Sequence, residues 1–143
     1  MRQMSLLGLM LLCLSACNNP TPVTTADSAS GSVPISMPNP ASVNCINAGG
    51  KEVMQTRGDG GEYGVCVFED NRQCEEWALF RGQCPAGGLK LTGYITPASQ
   101  YCAMTGGEYA VVAADKGSEE QGTCSKAGKT CDAQDYYNGK CDL

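Results

Sequence analysis

Apolar positions fall along the chain in three regimes. From Met4 to Leu14 they form one run, broken only by Ser5 and Gly8. From Asn18 to Pro38 they are isolated (Val23, Val33, Ile35, Met37) among Asn, Pro, Thr, Ser, Ala, Asp and Gly. Such a stretch buries too little apolar surface to offset the entropy of ordering, so it reads as a flexible spacer. After Asn39 the apolar positions cluster between turn residues. Asn39-Pro40 reads as a helix cap followed by proline at the first helical position, and Gly49 falls where a left-handed residue would end that helix. Val53, Met54 and Thr56, then Tyr63, Val65, Val67 and Phe68, flank Asp59-Gly60-Gly61, a hairpin pattern. Glu69 to Arg72 reads as a second turn, and Cys74 to Phe80 as a two-turn helix closed by Gly82. Trp77 is expected in the core of this unit.

The same plan then returns. Asn39-Pro40-Ala41-Ser42, Cys45 and Gly49-Gly50 recur as Thr96-Pro97-Ala98-Ser99, Cys102 and Gly106-Gly107, 57 positions on. Cys66 recurs as Cys124 at offset 58, and Cys74, Gly82 and Cys84 as Cys131, Gly139 and Cys141 at offset 57. In this copy the pattern predicts a helix over Pro97 to Thr105, strands over Glu108 to Asp115 and Gln121 to Ser125, and a turn at Asp115-Lys116-Gly117-Ser118. Trp77 is matched by Gln134 and Leu79 by Tyr136, so the closing helix is more polar and is expected to be less stable by itself. Lys90 to Ile95 either pairs with a sheet or merely links the copies.

The expected fold class is therefore α+β: two small disulfide-stapled repeats, each helix–β-hairpin–helix, after a signal peptide and flexible spacer. The divisions are 1–16 signal, 17–38 lipidated N-terminus and spacer, 39–84 first repeat, 85–95 connector and 96–143 second repeat. A unit of about 45 residues rarely holds together by core alone, and two disulfides of roughly 2–4 kcal/mol each would make up the shortfall. If Cys74 and Cys84 stood at opposite ends of one helix they would be about 12–15 Å apart, beyond the reach of a disulfide. That argument favours Cys66–Cys74 with Cys45–Cys84, and by analogy Cys124–Cys131 with Cys102–Cys141. Cys45–Cys74 with Cys66–Cys84 stays open as the alternative.

The leading run is too short for a stable span and, with Arg2 before it, reads as an export signal. It ends in Leu14-Ser15-Ala16-Cys17, which resembles the lipobox of bacterial lipoproteins. That resemblance implies a diacylglycerol on Cys17, cleavage before it, and attachment to a lipid bilayer by more than the two-signal minimum. Asn18, rather than an aspartate, implies sorting to the outer membrane by the same resemblance, facing periplasm or cell surface. Of ten cysteines, Cys13 would leave with the signal and Cys17 take lipid, so eight remain, an even number suited to disulfides in an oxidising compartment.

Composition narrows the chemistry. Loss of Arg2 leaves 9 basic against 15 acidic side chains, a net charge of −6, which argues against nucleic acid and against anionic lipid surfaces. There is no histidine, and no cysteine pair has the two-residue spacing of zinc knuckles, so neither a metal site nor a Cys-His or Ser-His nucleophile is expected. Glu75-Glu76 reads as the acidic first turn of a helix and Glu119-Glu120 as a turn, rather than as hydrolase pairs. Calcium ligation by Asp59, Glu62, Glu69 and Asp70 lacks a known loop spacing. No catalytic residue and no cofactor are expected.

The residues Asn39-Pro40-Ala41-Ser42, Gly49-Gly50, Gly64-Val65-Cys66-Val67-Phe68 and Cys74-Glu75-Glu76-Trp77-Ala78 together resemble a bacterial family known as domain of unknown function 333, often labelled as haemolysins. The second copy keeps Pro-Ala-Ser, Gly-Gly and the cysteines but departs at Glu-Glu-Trp. The resemblance implies a small exported lipoprotein and transfers no catalytic residue. Direct lysis fits poorly, since Tyr109 to Ala114 is apolar without alternation. The expected role is non-catalytic binding or structure in the envelope. Inhibition of an extracytoplasmic hydrolase through loops Arg57 to Glu62 and Glu69 to Gln73, or a haemolysin-like role, are the alternatives.

Overall fold

A computed structural model describes residues 37–113 and 120–143. The signal, Cys17, nearly all of the spacer and the turn expected at Asp115 to Ser118 lie outside the described residues. Helix α1 (Pro40–Asn47) starts as its sequence dictates: the Asn39 side chain accepts from the Ala41 amide, and proline occupies the first turn. Strands β1 (Lys51–Thr56) and β2 (Glu62–Val67) form the expected antiparallel hairpin, Met54 opposite Gly64.

The next segment differs from expectation. Asp70 and Asn71 both take left-handed backbone (φ 57° and 55°) within a short 3-10 turn at Glu69–Asn71. Asparagine and aspartate tolerate this conformation, and two such residues in succession close a tight hairpin. The chain therefore returns as a third strand, β3 (Arg72–Glu75), with Cys74 opposite Cys66. Helix α2 is only Glu76–Phe80, because the Glu75 carboxylate accepts from the Trp77 and Ala78 amides and caps it there. Within the connector, β4 (Leu89–Lys90) pairs with β3, giving sheet order β1-β2-β3-β4.

The second repeat matches element for element: α3 (Pro97–Met104), β5 (Glu108–Ala113), β6 (Gln121–Lys126), β7 (Lys129–Asp132) and α4 (Ala133–Tyr137). Its β6–β7 turn is Ala127-Gly128, at φ 50° and 81°. The repeat unit is thus helix, three strands, helix. Among the described residues no helix is long and apolar enough to cross a membrane.

This geometry corrects the disulfides. All eight cysteines are paired, but as Cys45–Cys66, Cys74–Cys84, Cys102–Cys124 and Cys131–Cys141. The expected Cys66–Cys74, Cys45–Cys84, Cys124–Cys131 and Cys102–Cys141 pairs do not occur. The expectation failed on one premise. Cys74 is in a strand rather than at a helix start, and after α2 the left-handed Gly82 (φ 69°) turns the chain back. The Cα atoms of Cys74 and Cys84 come within 6.0 Å. Gly139 (φ 66°) serves Cys131 and Cys141 in the same way.

Two cores result. Cys45, Cys66, Cys74, Cys84, Ala78 and Leu79 form the first, with Phe68 and Leu89 against it. Ala98, Tyr101, Cys102, Cys124, Ala133 and Tyr136 form the second. The polar Tyr136 that replaces Leu79 is nonetheless buried, because its hydroxyl donates to Thr105 Oγ1 at 3.2 Å, and Thr105 stands where the first repeat has Ala48. A hydroxyl brought into a core needs a partner, and the second copy supplies one.

The repeats also interlock. Tyr63 of the first belongs to the second core, edge-on to Tyr101 at 5.1 Å, and Tyr101 in turn meets Tyr136 and Tyr137. The Tyr137 hydroxyl donates to the Thr56 carbonyl. A Cβ on Gly58 would overlap Asn138, and one on Gly139 would overlap Asp59, so the β1–β2 turn lies directly on the end of α4.

Candidate functional site

Among the described residues, the shortest side-chain hydrogen bond lies where the two helices of the first repeat begin. Glu76 is 4 % exposed. Its Oε1 accepts from Asn39 Nδ2 at 2.6 Å and its Oε2 from Ser42 Oγ at 2.8 Å, while Ser42 Oγ also lies 2.9 Å from Glu52 Oε1. Gly64 on β2 leaves the room, since a Cβ there would overlap the Glu76 carboxylate. The carboxylate is a latch: it ties the start of α1 to the start of α2 across the sheet. Glu76 stands in the first turn of α2 as the sequence predicts, and the structure adds that it is buried there. Burial of a carboxylate is tolerated because charge-assisted hydrogen bonds replace its hydration. Glu75 is the acid whose carboxylate caps the helix.

Trp77, expected in the core, is only half-buried. It stacks edge-on against Phe80, with the Arg81 guanidinium 5.2 Å from its ring centroid. A five-residue helix has one inward face, and Ala78 and Leu79 occupy it.

In the second repeat the same ground is built differently. Asn39, Ser42, Glu52, Gly64 and Glu76 are matched by Thr96, Ser99, Tyr109, Gly122 and Ala133. Thr96 and Ser99 satisfy each other in a capping box: the Thr96 hydroxyl oxygen accepts from the Ser99 amide, and the Ser99 hydroxyl oxygen accepts from the Thr96 amide. The Tyr109 ring lies over Gly122 as the Glu76 carboxylate lies over Gly64. Ala133 is too short to fill the remainder, and a cleft of about 320 Å³ opens between the starts of α3 and α4. Tyr109, Glu120, Asp132 and Asp135 line it. The Tyr109 hydroxyl donates to Glu120 Oε1 at 3.0 Å. Burial and the neighbouring Glu120 push the Tyr109 phenol up to about 12.

Of the other expected site residues, Cys17 lies outside the described residues, and the eight remaining cysteines act as staples. The Arg57 to Glu62 loop, expected as a free contact loop, is engaged within the molecule. Arg57 Nη2 and Asp59 Oδ2 pair at 2.9 Å, and the turn packs on α4. The Glu69 to Gln73 segment is the tight turn and the start of β3, largely exposed.

The duplication seen in the fold is also seen in comparisons with known proteins. The family described as Domain of unknown function (DUF333) matches residues 36–83 and again residues 93–140, two thirds of the chain. The chain belongs to this family, in two tandem copies. Among its relatives are the uncharacterized protein YdbJ of Escherichia coli strain K12 and its counterpart in strain O6:H1 (CFT073). Each is 31% identical over 85 residues, covering 59% of this chain and 97% of the relative. No solved structure matches this chain. The family model matches each repeat separately, so its unit is the single repeat and this chain carries two.

Proposed function

We propose that this DUF333 protein is an exported, lipid-anchored component of the bacterial outer membrane, facing periplasm or cell surface, whose folded part is a non-catalytic binding module. The observation that carries the reading is the full pairing of eight cysteines into four disulfides within the 101 described residues. Such density suits a protein that matures in an oxidising compartment. The lipobox-like Leu14-Ser15-Ala16-Cys17 supports attachment through Cys17, and the polar stretch to Pro38 would hold the module away from the bilayer. Staples and interlocked repeats make a rigid body, which presents a binding surface at low entropic cost.

The test is metabolic labelling of the full-length protein with an alkyne fatty acid, followed by membrane fractionation, for the natural chain and Cys17→Ser. The natural chain should carry label and sediment with outer membranes, and Cys17→Ser should lose both. An unlabelled natural chain, or free thiols on the exported protein, would sink the reading.

A further inference from the structure

We infer that copies of this chain pack head to tail: the outer surface of α1 and α2 in one copy seats on the open face of the second sheet in the next, continuing the interface that joins the two repeats within the chain. The inference deepens the binding reading above by naming the partner as a second copy, and it rests on that reading only in taking the module to bind a protein.

The repeats stack in layers. Cys66 of β2 is bonded to Cys45 of α1, so Tyr63, Val65 and Val67 project from the opposite face of the first sheet. The helices of the second repeat cover that face: α3 lies against β3, Tyr63 meets Tyr101 at 5.1 Å, and Val65 is fully buried. Glycines after both helices complete the contact, since a Cβ on Gly106 would overlap the Gln83 carbonyl and one on Gly139 the Asp59 carboxylate. The order is therefore α1 with α2, first sheet, α3 with α4, second sheet. One surface of each kind joined inside the chain is left over at an end.

At the helical end, Gly49 and Gly82 are the counterparts of Gly106 and Gly139, and nothing lies within 4 Å of where their Cβ atoms would stand. Ile46 is 62 % exposed, whereas its counterpart Ala103 is 4 % exposed. Ile46 and exposed Val43 on α1, with exposed Phe80 and half-buried Trp77 on α2, make this end apolar across two helices packed side by side. Ends of stacked repeats are otherwise faced with polar residues, and exposed apolar surface marks a contact. At the sheet end, Cys124 is bonded to Cys102 of α3, so Thr123 and Ser125 project outward, with exposed Ala110 opposite Thr123.

The two ends differ from the internal interface in step. Tyr63 and Tyr101, which meet inside the chain, correspond to Gln121 and Asn44 at the ends, two amides able to hydrogen-bond each other. Buried Val65 and Met104 correspond to Thr123 and Asn47, both polar. Tyr137, whose hydroxyl donates to the Thr56 carbonyl at the end of β1, corresponds to Phe80, and the strand corresponding to β1 carries exposed Val111 and Val112. Polar positions on one end thus answer polar positions on the other, and apolar answer apolar. Capping alone would account for the polar changes but not for the apolar ones. A foreign partner on the helical end would give the sheet end no reason to match it, whereas a second copy supplies both surfaces. Such a heterologous contact leaves a free end on each copy and so propagates. Anchorage of copies to one membrane would raise their effective concentration.

Two substitutions at exposed positions test this, Ile46→Glu on the helical end and Ala110→Glu on the sheet end. Each spoils one surface, leaves the other intact, and adds the same charge. In sedimentation velocity of the full-length protein in density-matched micelles, the natural chain should form species that lengthen with concentration, and either variant alone should raise the apparent Kd at least about tenfold. Mixed in equal amounts, the variants should associate and stop at a dimer, because one intact surface of each kind remains; that recovery also shows that both variants fold. A pairing of two helical ends would instead be lost in Ile46→Glu, kept in Ala110→Glu and not recovered by mixing. Photocrosslinking from p-benzoylphenylalanine placed at Ile46 gives a reading without either variant, and its adducts should map to β5 and β6 of a second copy. A natural chain that stays monomeric at the highest accessible concentration, a mixture that fails to associate, or crosslinks that reach only α1 and α2, lipid or another protein would overturn the inference. None of these results bears on the acylation of Cys17, which the labelling experiment decides separately.

Discussion

Replacing Glu76 separates the latch from a merely tolerated buried acid. In Glu76→Ala both helix-start donors, Asn39 Nδ2 and Ser42 Oγ, lose an ionised acceptor at 2.6 and 2.8 Å. Hydrogen bonds to a charged group contribute about 1.5–3 kcal/mol each, so two of them sum to about 3–6 kcal/mol, or about 3–5 kcal/mol once Ser42 turns to its other acceptor. That acceptor is Glu52 Oε1, 2.9 Å away. Glu76→Gln should behave differently. Its carbonyl oxygen can keep the Asn39 bond while its amide donates to Ser42 Oγ, whose single proton then goes to Glu52. The network closes again without the charge, and the cost should fall to about 1 kcal/mol. Guanidinium denaturation with the disulfides intact, followed by fluorescence of Trp77, the single tryptophan and the next residue in the chain, reads both variants. At this size about 4 °C accompanies each kcal/mol, so Glu76→Ala should melt on the order of 12–20 °C below the natural protein. A loss under about 1 kcal/mol for Glu76→Ala would refute the latch. Equal losses for the two variants would show that charge, rather than a completed network, is what the site requires.

Four further outcomes follow from the same geometry. Burial, reinforced by neighbouring tyrosines, pushes Tyr63 up to about 12, and Tyr109 is likewise raised to about 12. In the unfolded chain both ionise near 10, so the folded state holds these protons more tightly; its added stability is present below pH 10 and lost as pH rises through 12. Ultraviolet titration should therefore show late-ionising phenols among the six tyrosines, and one common transition near pH 10 would contradict the packing. Among the disulfides, Cys131–Cys141 is half-exposed whereas Cys45–Cys66 is fully buried, so mass-spectrometric mapping under limiting phosphine should find Cys131–Cys141 opened first. Removing that bridge, which closes a ten-residue separation, should cost about 3 kcal/mol by chain entropy. Finally, Tyr63→Ala deletes a first-repeat ring from the second core and should lower stability by about 2–3 kcal/mol while unfolding remains a single transition. Two separated transitions would show that the repeats melt independently.

The sequence carries its local signals plainly and its long-range ones obliquely, and the difference is physical. Asn39-Pro40 starts a helix wherever it is placed, and Asp59-Gly60-Gly61 closes a hairpin, because caps and glycine turns act within a few residues. The second hairpin turn was hidden in the first copy, since Asp70-Asn71 has no glycine and the following Cys74-Glu75-Glu76-Trp77 has helical composition. Its counterpart Ala127-Gly128 shows the left-handed position openly, and aligning the copies there moves Cys74 from helix to strand and with it the whole disulfide map. The candidate site was legible only through the same comparison. A glutamate in a first helical turn reads as solvated, and nothing within Cys74 to Phe80 reveals that Asn39 and Ser42, more than thirty positions away, are folded onto it. What marks the position is disagreement between copies that otherwise keep their frame: Glu76 becomes Ala133 while Gly64 persists as Gly122. The room kept at Gly122 is taken by the Tyr109 ring, so the glycine marks a changed occupant. A buried carboxylate needs its partners on every side, so one copy holds its helix starts together from within. The other caps α3 with Thr96 and Ser99 instead, and seats the Tyr109 ring over the kept glycine.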